Sequence, residues 1–273
     1  MSAAQYNYYP YEGITYSSWP TDPLWKALPG LEVDPSETGL HDERQDLIGT
    51  TANPCAFWAA DKTYLYFRMR VHLADPGAFT NWQDSMFVYV DQVGKGTVNQ
   101  PDYAFAWDTK GPAGNAGAIK DHGLEMQVLS TFSDKWNGVT TDDIDGKVAE
   151  KVSPPDFNLT GNGFVRAVTG GAVISGNNTS FIDFAISWNY LESQTSLRQS
   201  GQTWRIQMAT SHEATDHVAP NEDVIGGTTT ASLPADISTA FWSSPISVTI
   251  PEPTALLLLG AAGTLGLARR RRR

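Results

Sequence analysis

From residue 63 to residue 250, apolar and β-branched residues arrive in short runs closed by Gly, Pro or Asn, and no stretch sustains the period of a long helix. Such a chain can bury its apolar groups only by pairing strands. Residues 63–72 alternate over their second half, with Arg68, Arg70 and His72 opposing Phe67, Met69 and Val71, so one wet face and one dry face are expected. Residues 85–91, aromatic or β-branched from Phe87 to Val90, read as a more central strand. Further strands are expected at 103–107, 124–129, 164–168, 181–186, 204–209 and 246–250. The one helical hint, 188–192, is a turn or two after a strand. This pattern predicts an all-β chain, an antiparallel β-sandwich of jelly-roll-like type.

Three stretches carry a resemblance. Ala59-Ala60-Asp61-Lys62-Thr63-Tyr64-Leu65-Tyr66-Phe67, then Trp82-Gln83-Asp84-Ser85-Met86-Phe87-Val88-Tyr89-Val90-Asp91, then Asp183-Phe184-Ala185-Ile186-Ser187-Trp188-Asn189-Tyr190-Leu191 occur in order along the chain. Together they resemble the family-9 carbohydrate-binding modules and the related DOMON-like sandwiches, over roughly residues 56 to 210. The resemblance implies a sandwich of the carbohydrate-binding-module type. Family-9 modules hold a sugar between two tryptophans, but no position here aligns with those, so no ligand residue is carried over.

Charge narrows the choice of partner. The chain has 19 Lys+Arg and 30 Asp+Glu; without the five arginines and Glu252 of its ending, residues 1–250 keep 14 basic against 29 acidic residues, a net charge of −15. A body so acidic argues against nucleic acid as a partner. The single cysteine, Cys55, can form no intrachain disulfide and reads as a small buried hydrophobe. Stability must come from core burial or bound ions. No composition break or Pro/Ser linker divides residues 1–250, which are expected to form a single domain.

The ending is of another kind. Pro251, Glu252 and Pro253 precede an apolar run, 254–268, and the chain stops on Arg269, Arg270, Arg271, Arg272 and Arg273. The prolines break any entering strand, the apolar run can lie in lipid as a short helix, and the arginines resist translocation. Fifteen residues at ~1.5 Å reach roughly 22 Å, short of the ~30 Å hydrocarbon core, so the span is marginal and suits a temporary anchor. The segment resembles the PEP-CTERM sorting signal. That resemblance implies processing near Pro251-Glu252-Pro253 by a membrane-embedded exosortase and transient anchoring in the inner membrane with the C-terminus cytoplasmic. It also implies delivery to the surface or matrix of an exopolysaccharide-making bacterium. Such a protein should begin with a signal peptide, yet residues 1–11 have neither basic start nor apolar core; Ser2, Ala3 and Ala4 would suit the vicinity of a cleaved leader.

Candidate chemistry in the body is sparse. Asp84 and Asp91 fall at strand ends among other aspartates, and Glu213, Asp216 and Asp223 form a later acidic group; either set could give Ca2+ its oxygens, against the alternative of turn and cap chemistry. His212-Glu213 with His217 is one residue too long for a zinc-protease helix, and residues 221–227 read as a loop closing the sandwich. Trp58, Trp82, Trp107, Trp136 and Trp242, at strand ends or in loops, could stack on sugar rings if exposed, or else pack in the core. No Gly-x-Ser-x-Gly elbow, phosphate loop or Cys/His pair occurs, and no catalytic residue is assigned. The expected role is a non-enzymatic surface or matrix protein touching extracellular polysaccharide. A structural or adhesive subunit that self-associates, and a polysaccharide-acting enzyme, remain as alternatives. Replacing Arg269–Arg273 with serine should impair membrane orientation and processing, read by fractionation and precursor size in the natural host; unchanged processing would contradict the reading.

Overall fold

Leu65, Phe67, Met69 and Val71 alternate onto one face of a strand, all fully buried, as their spacing requires. The computed structural model describes residues 8–10, 19–36, 46–73, 85–96, 98, 101–108, 124–128, 163–168, 171–198, 202–211, 223–226 and 241–249. Its strands are β1 (Tyr8–Pro10), β2 (Lys26–Ala27), β3 (Ala56–Ala60), β4 (Tyr64–Val71), β5 (Ser85–Gln92) and β6 (Tyr103–Asp108). These are followed by β7 (Leu124–Val128), β8 (Gly163–Val168), β9 (Ser180–Ser187), β10 (Trp204–Ser211), β11 (Asp223–Val224) and β12 (Ser247–Thr249). The helix α1 (Trp188–Gln194) follows β9 directly.

The strands build two five-stranded antiparallel sheets, in the orders β2-β3-β4-β9-β8 and β11-β10-β5-β6-β7. A two-stranded parallel pair, β1 with β12, stands apart from both. The chain changes sheet between β4 and β5, between β7 and β8, and between β9 and β10. Central neighbours are therefore distant in sequence: Phe67 of β4 lies opposite Phe184 of β9, and Val88 of β5 opposite Met208 of β10.

The inner faces of the two sheets meet in one apolar cluster. Phe67 and Phe184 from one sheet, and Val88, Val90, Phe105, Ile206 and Met208 from the other, are buried together, with Phe67 and Phe105 stacked at 6.2 Å between ring centroids. Trp188 and Trp58 each meet Trp204 edge-on, at 6.1 and 6.5 Å. Polar tips on two of these rings find carbonyls: Trp188 Nε1 donates to Asp61 O at 2.9 Å and Trp204 Nε1 to Leu197 O at 2.9 Å. Residues 46–49 run against the edge of this core, where a Cβ on Gly49 would collide with the Cys55 backbone nitrogen and with Glu32 O. Glycine there permits the close approach.

The expected wet face of β4 is not wet. Arg68 and Arg70 are each 4% exposed: the Pro-rich segment preceding β2 folds back over Arg68, while Arg70 is enclosed by Pro54, Thr179 and Phe181. Trp19 and Trp25 from that segment pack with Tyr64, Tyr66, Phe164 and Ala185 in a second apolar layer. Alternation therefore distinguishes two buried environments, one apolar and one mixed. Because Phe184 is fully buried at the centre of the inner layer, Phe184→Ala should cost ~3–5 kcal/mol. Chemical denaturation measures this, and an unchanged midpoint would mean the register of β9 is wrong.

Candidate functional site

Three adjacent strands bring Arg68, Asp183 and Arg166 into register on the outer face of the first sheet. Asp183 is fully buried. Arg68 donates from Nε to Asp183 Oδ1 at 2.6 Å and from an Nη to Oδ2 at 2.9 Å, a two-pronged clasp. Arg166 Nε adds a third bond to Oδ2 at 2.7 Å. Rings close over the guanidinium groups: Arg68 lies 4.3 Å from the centroid of Trp25 and 4.4 Å from that of Phe181, and Arg166 lies 4.6 Å from that of Trp19.

Arg70 continues the layer on neutral partners. It donates to Pro54 O at 3.1 Å and to Thr179 Oγ1 at 3.0 Å, and stands 4.4 Å from the Phe181 centroid. Burial pulls its pKa down, with the neighbouring charge of Arg68 acting in the same direction. Chemically the arrangement is a clamp. A carboxylate held by three charge-assisted bonds has most of its acceptor capacity committed to the fold.

Of the residues expected to bind Ca2+, one from each alternative set, Asp91 and Asp223, falls among the described residues. Asp91, on β5, is bonded to Arg205, its register partner on β10. Asp223, fully buried, accepts from Leu47 N at 2.6 Å and from Val224 N at 2.7 Å, so its carboxylate joins residues 46–49 to β11. Asp91 and Asp223 face β10 at Arg205 and Thr210, about 17 Å apart along an extended strand. Asp84, Glu213 and Asp216 lie outside the described residues. Among the described residues no group of three or more His, Cys, Asp or Glu side chains is placed to hold a metal ion.

Two further polar groups sit at the rims. Beside the β5–β6 turn, Gln92 Nε2 donates to Ser196 Oγ at 2.8 Å and Gln202 Oε1 at 2.6 Å, and Lys95 Nζ donates to Tyr103 Oη at 2.8 Å. Asp102, accepting from Gln92 N at 2.9 Å, has its pKa raised chiefly by burial. On the opposite rim, burial first, then the charges of Asp34 and Asp223, push the Cys55 thiol well above its ordinary range, which suits an inert packing role.

Of the tryptophans singled out as sugar platforms, Trp58 is fully buried in the core and Trp242 is half-buried. Trp82, Trp136 and the side chain of Trp107 lie outside the described residues. Sequence alternation predicts a wet face for Arg68 and assigns no face to Asp183 or Arg166, so it does not bring the Arg68–Asp183–Arg166 centre together. The available signal was that all three charges fall on the same outward phase of neighbouring strands.

Residues 249–273 match the family model for the PEP-CTERM protein-sorting motif. The chain carries a PEP-CTERM sorting signal. A signal of this kind marks an exported protein, anchored transiently at the membrane and processed by an exosortase. No curated protein and no solved structure matches the chain.

Removing the shared carboxylate would leave Arg68 and Arg166 charged beneath the aromatic cover. Asp183→Ala should therefore lower unfolding free energy by ~3–5 kcal/mol in urea titrations. A loss below about 1 kcal/mol, the range of exposed ion pairs, would contradict a buried clamp.

Proposed function

We propose that the chain is a cell-surface or extracellular-matrix protein whose acidic β-sandwich serves a non-catalytic role in association with exopolysaccharide. The observation that carries this reading is the sorting motif at residues 249–273, attached to a body built as two facing β-sheets. Export sets where the body works, and the net charge of −15 on residues 1–250 keeps it soluble and disperse in a hydrated polymer. Processing near Pro251-Glu252-Pro253 would separate that body from the apolar run and the arginines, which stay with the inner membrane. A non-catalytic role is supported by how the described carboxylates are used: Asp183 and Asp91 face arginines, and Asp223 caps backbone amides.

A second reading, a structural or adhesive subunit without sugar binding, is favoured by the tryptophans. Trp58, Trp188 and Trp204 are interior, and Trp19 and Trp25 cover the arginine layer, so these five indoles are spent on packing. Retention of the tail-less protein on exopolysaccharide from the natural host, beside sedimentation of the protein alone, separates the two. Association with exopolysaccharide predicts retention that free polysaccharide competes away. No retention, together with concentration-dependent oligomers, would overturn it in favour of the structural subunit.

A further inference from the structure

The folded body ends very close to its own sorting motif. Ile246 is fully buried, and its backbone exchanges two 2.8 Å hydrogen bonds with Trp204, at the start of β10. Just before it, Ser243 N donates to Ile206 O at 2.8 Å while Ser243 Oγ accepts from Ile206 N at 2.9 Å, and Ser244 N donates to Pro29 O at 2.7 Å. Residues 247–249 continue as β12, paired with β1 in the register Ser247↔Tyr8 to Thr249↔Pro10. Pro251 comes five residues after Ile246. Even fully extended, that interval spans at most ~18 Å.

An enzyme embedded in the membrane must take this stretch as an extended peptide, and extended peptides are bound through their backbone groups. Residues 243–246 already spend such groups on Pro29 and β10, and residues 247–249 on β1. From this competition we infer that the terminal strip 243–249 is a latch, which must unzip from β10 and β1 before the exosortase can engage the motif, and which closes again on the finished product. The inference rests on the sorting reading given above. Local opening of an edge strip is much less costly than unfolding the sheets, so the latch can limit the processing rate while the two sheets stay folded. Processing is then slower on the folded protein than the motif alone would permit.

The test is pulse-chase of the full chain in an exosortase-bearing host, following precursor half-life. A flexible Gly-Ser insertion of about ten residues between Ile250 and Pro251 gives the enzyme free chain while leaving the latch intact. Ile246→Ala weakens the latch itself. The latch predicts a several-fold shorter half-life for each, and no additional shortening when Ile246→Ala is added to the insertion. An insertion variant processed at the wild-type rate would overturn the latch, whatever Ile246→Ala does to the stability of the body. A wild-type chain that is never processed would instead sink the sorting reading on which the latch depends.

Discussion

A carboxylate taken out of water must be met on every side, and Asp183 is met by Arg68 and Arg166 from the strands on either side of its own. This requirement organises the outer half of the molecule. The two guanidinium groups need cover, which Trp25, Phe181 and Trp19 supply as ring faces. Covering them in turn holds residues 19–27 against the sheet, where Trp25 Nε1 donates to Pro20 O at 3.2 Å and Lys26 pairs with Trp58. The clamp thus ties three strands and the preceding segment into one layer. Its stabilising effect is conditional, since a buried ion pair gains only when its geometry is good and its remaining donors are used.

The inner layer obeys simpler rules. Phe67, Phe105, Phe184 and the group of Trp58, Trp188 and Trp204 fill the space between the sheets, with the indole nitrogens of Trp188 and Trp204 turned to carbonyls at its border. Sheet changes after β4, β7 and β9 place strands distant in sequence side by side. Both layers then depend on long-range pairing. A chain with one cysteine has no covalent substitute for it.

The inner layer was legible in the sequence, because period-two alternation in 63–72 specifies what faces the core and the apolar run of 86–90 marks a central strand. Helix α1 was legible as well, from Trp188, Tyr190 and Leu191 following a strand. The strand Ala56–Ala60 was not, since small residues around Phe57 and Trp58 carry little strand signal. Nor was the clamp. Alternation says that Arg68 and Phe67 point opposite ways, but whether the second side meets water depends on a Pro-rich segment some forty residues earlier, whose two tryptophans have no periodic pattern. The ending was legible because its signal is linear: two prolines, an apolar run and a block of arginines act through composition and order, needing no fold to bring them together.

The sorting motif implies that this sandwich is exported as a body and then parted from its C-terminal signal. Intact-mass measurement of the protein recovered from outside the cells of its natural host tests that claim directly. The predicted mass is that of a chain ending near Pro251-Glu252-Pro253, without residues 254–268 and without the five arginines. Recovery of extracellular protein still carrying Arg273 would contradict it.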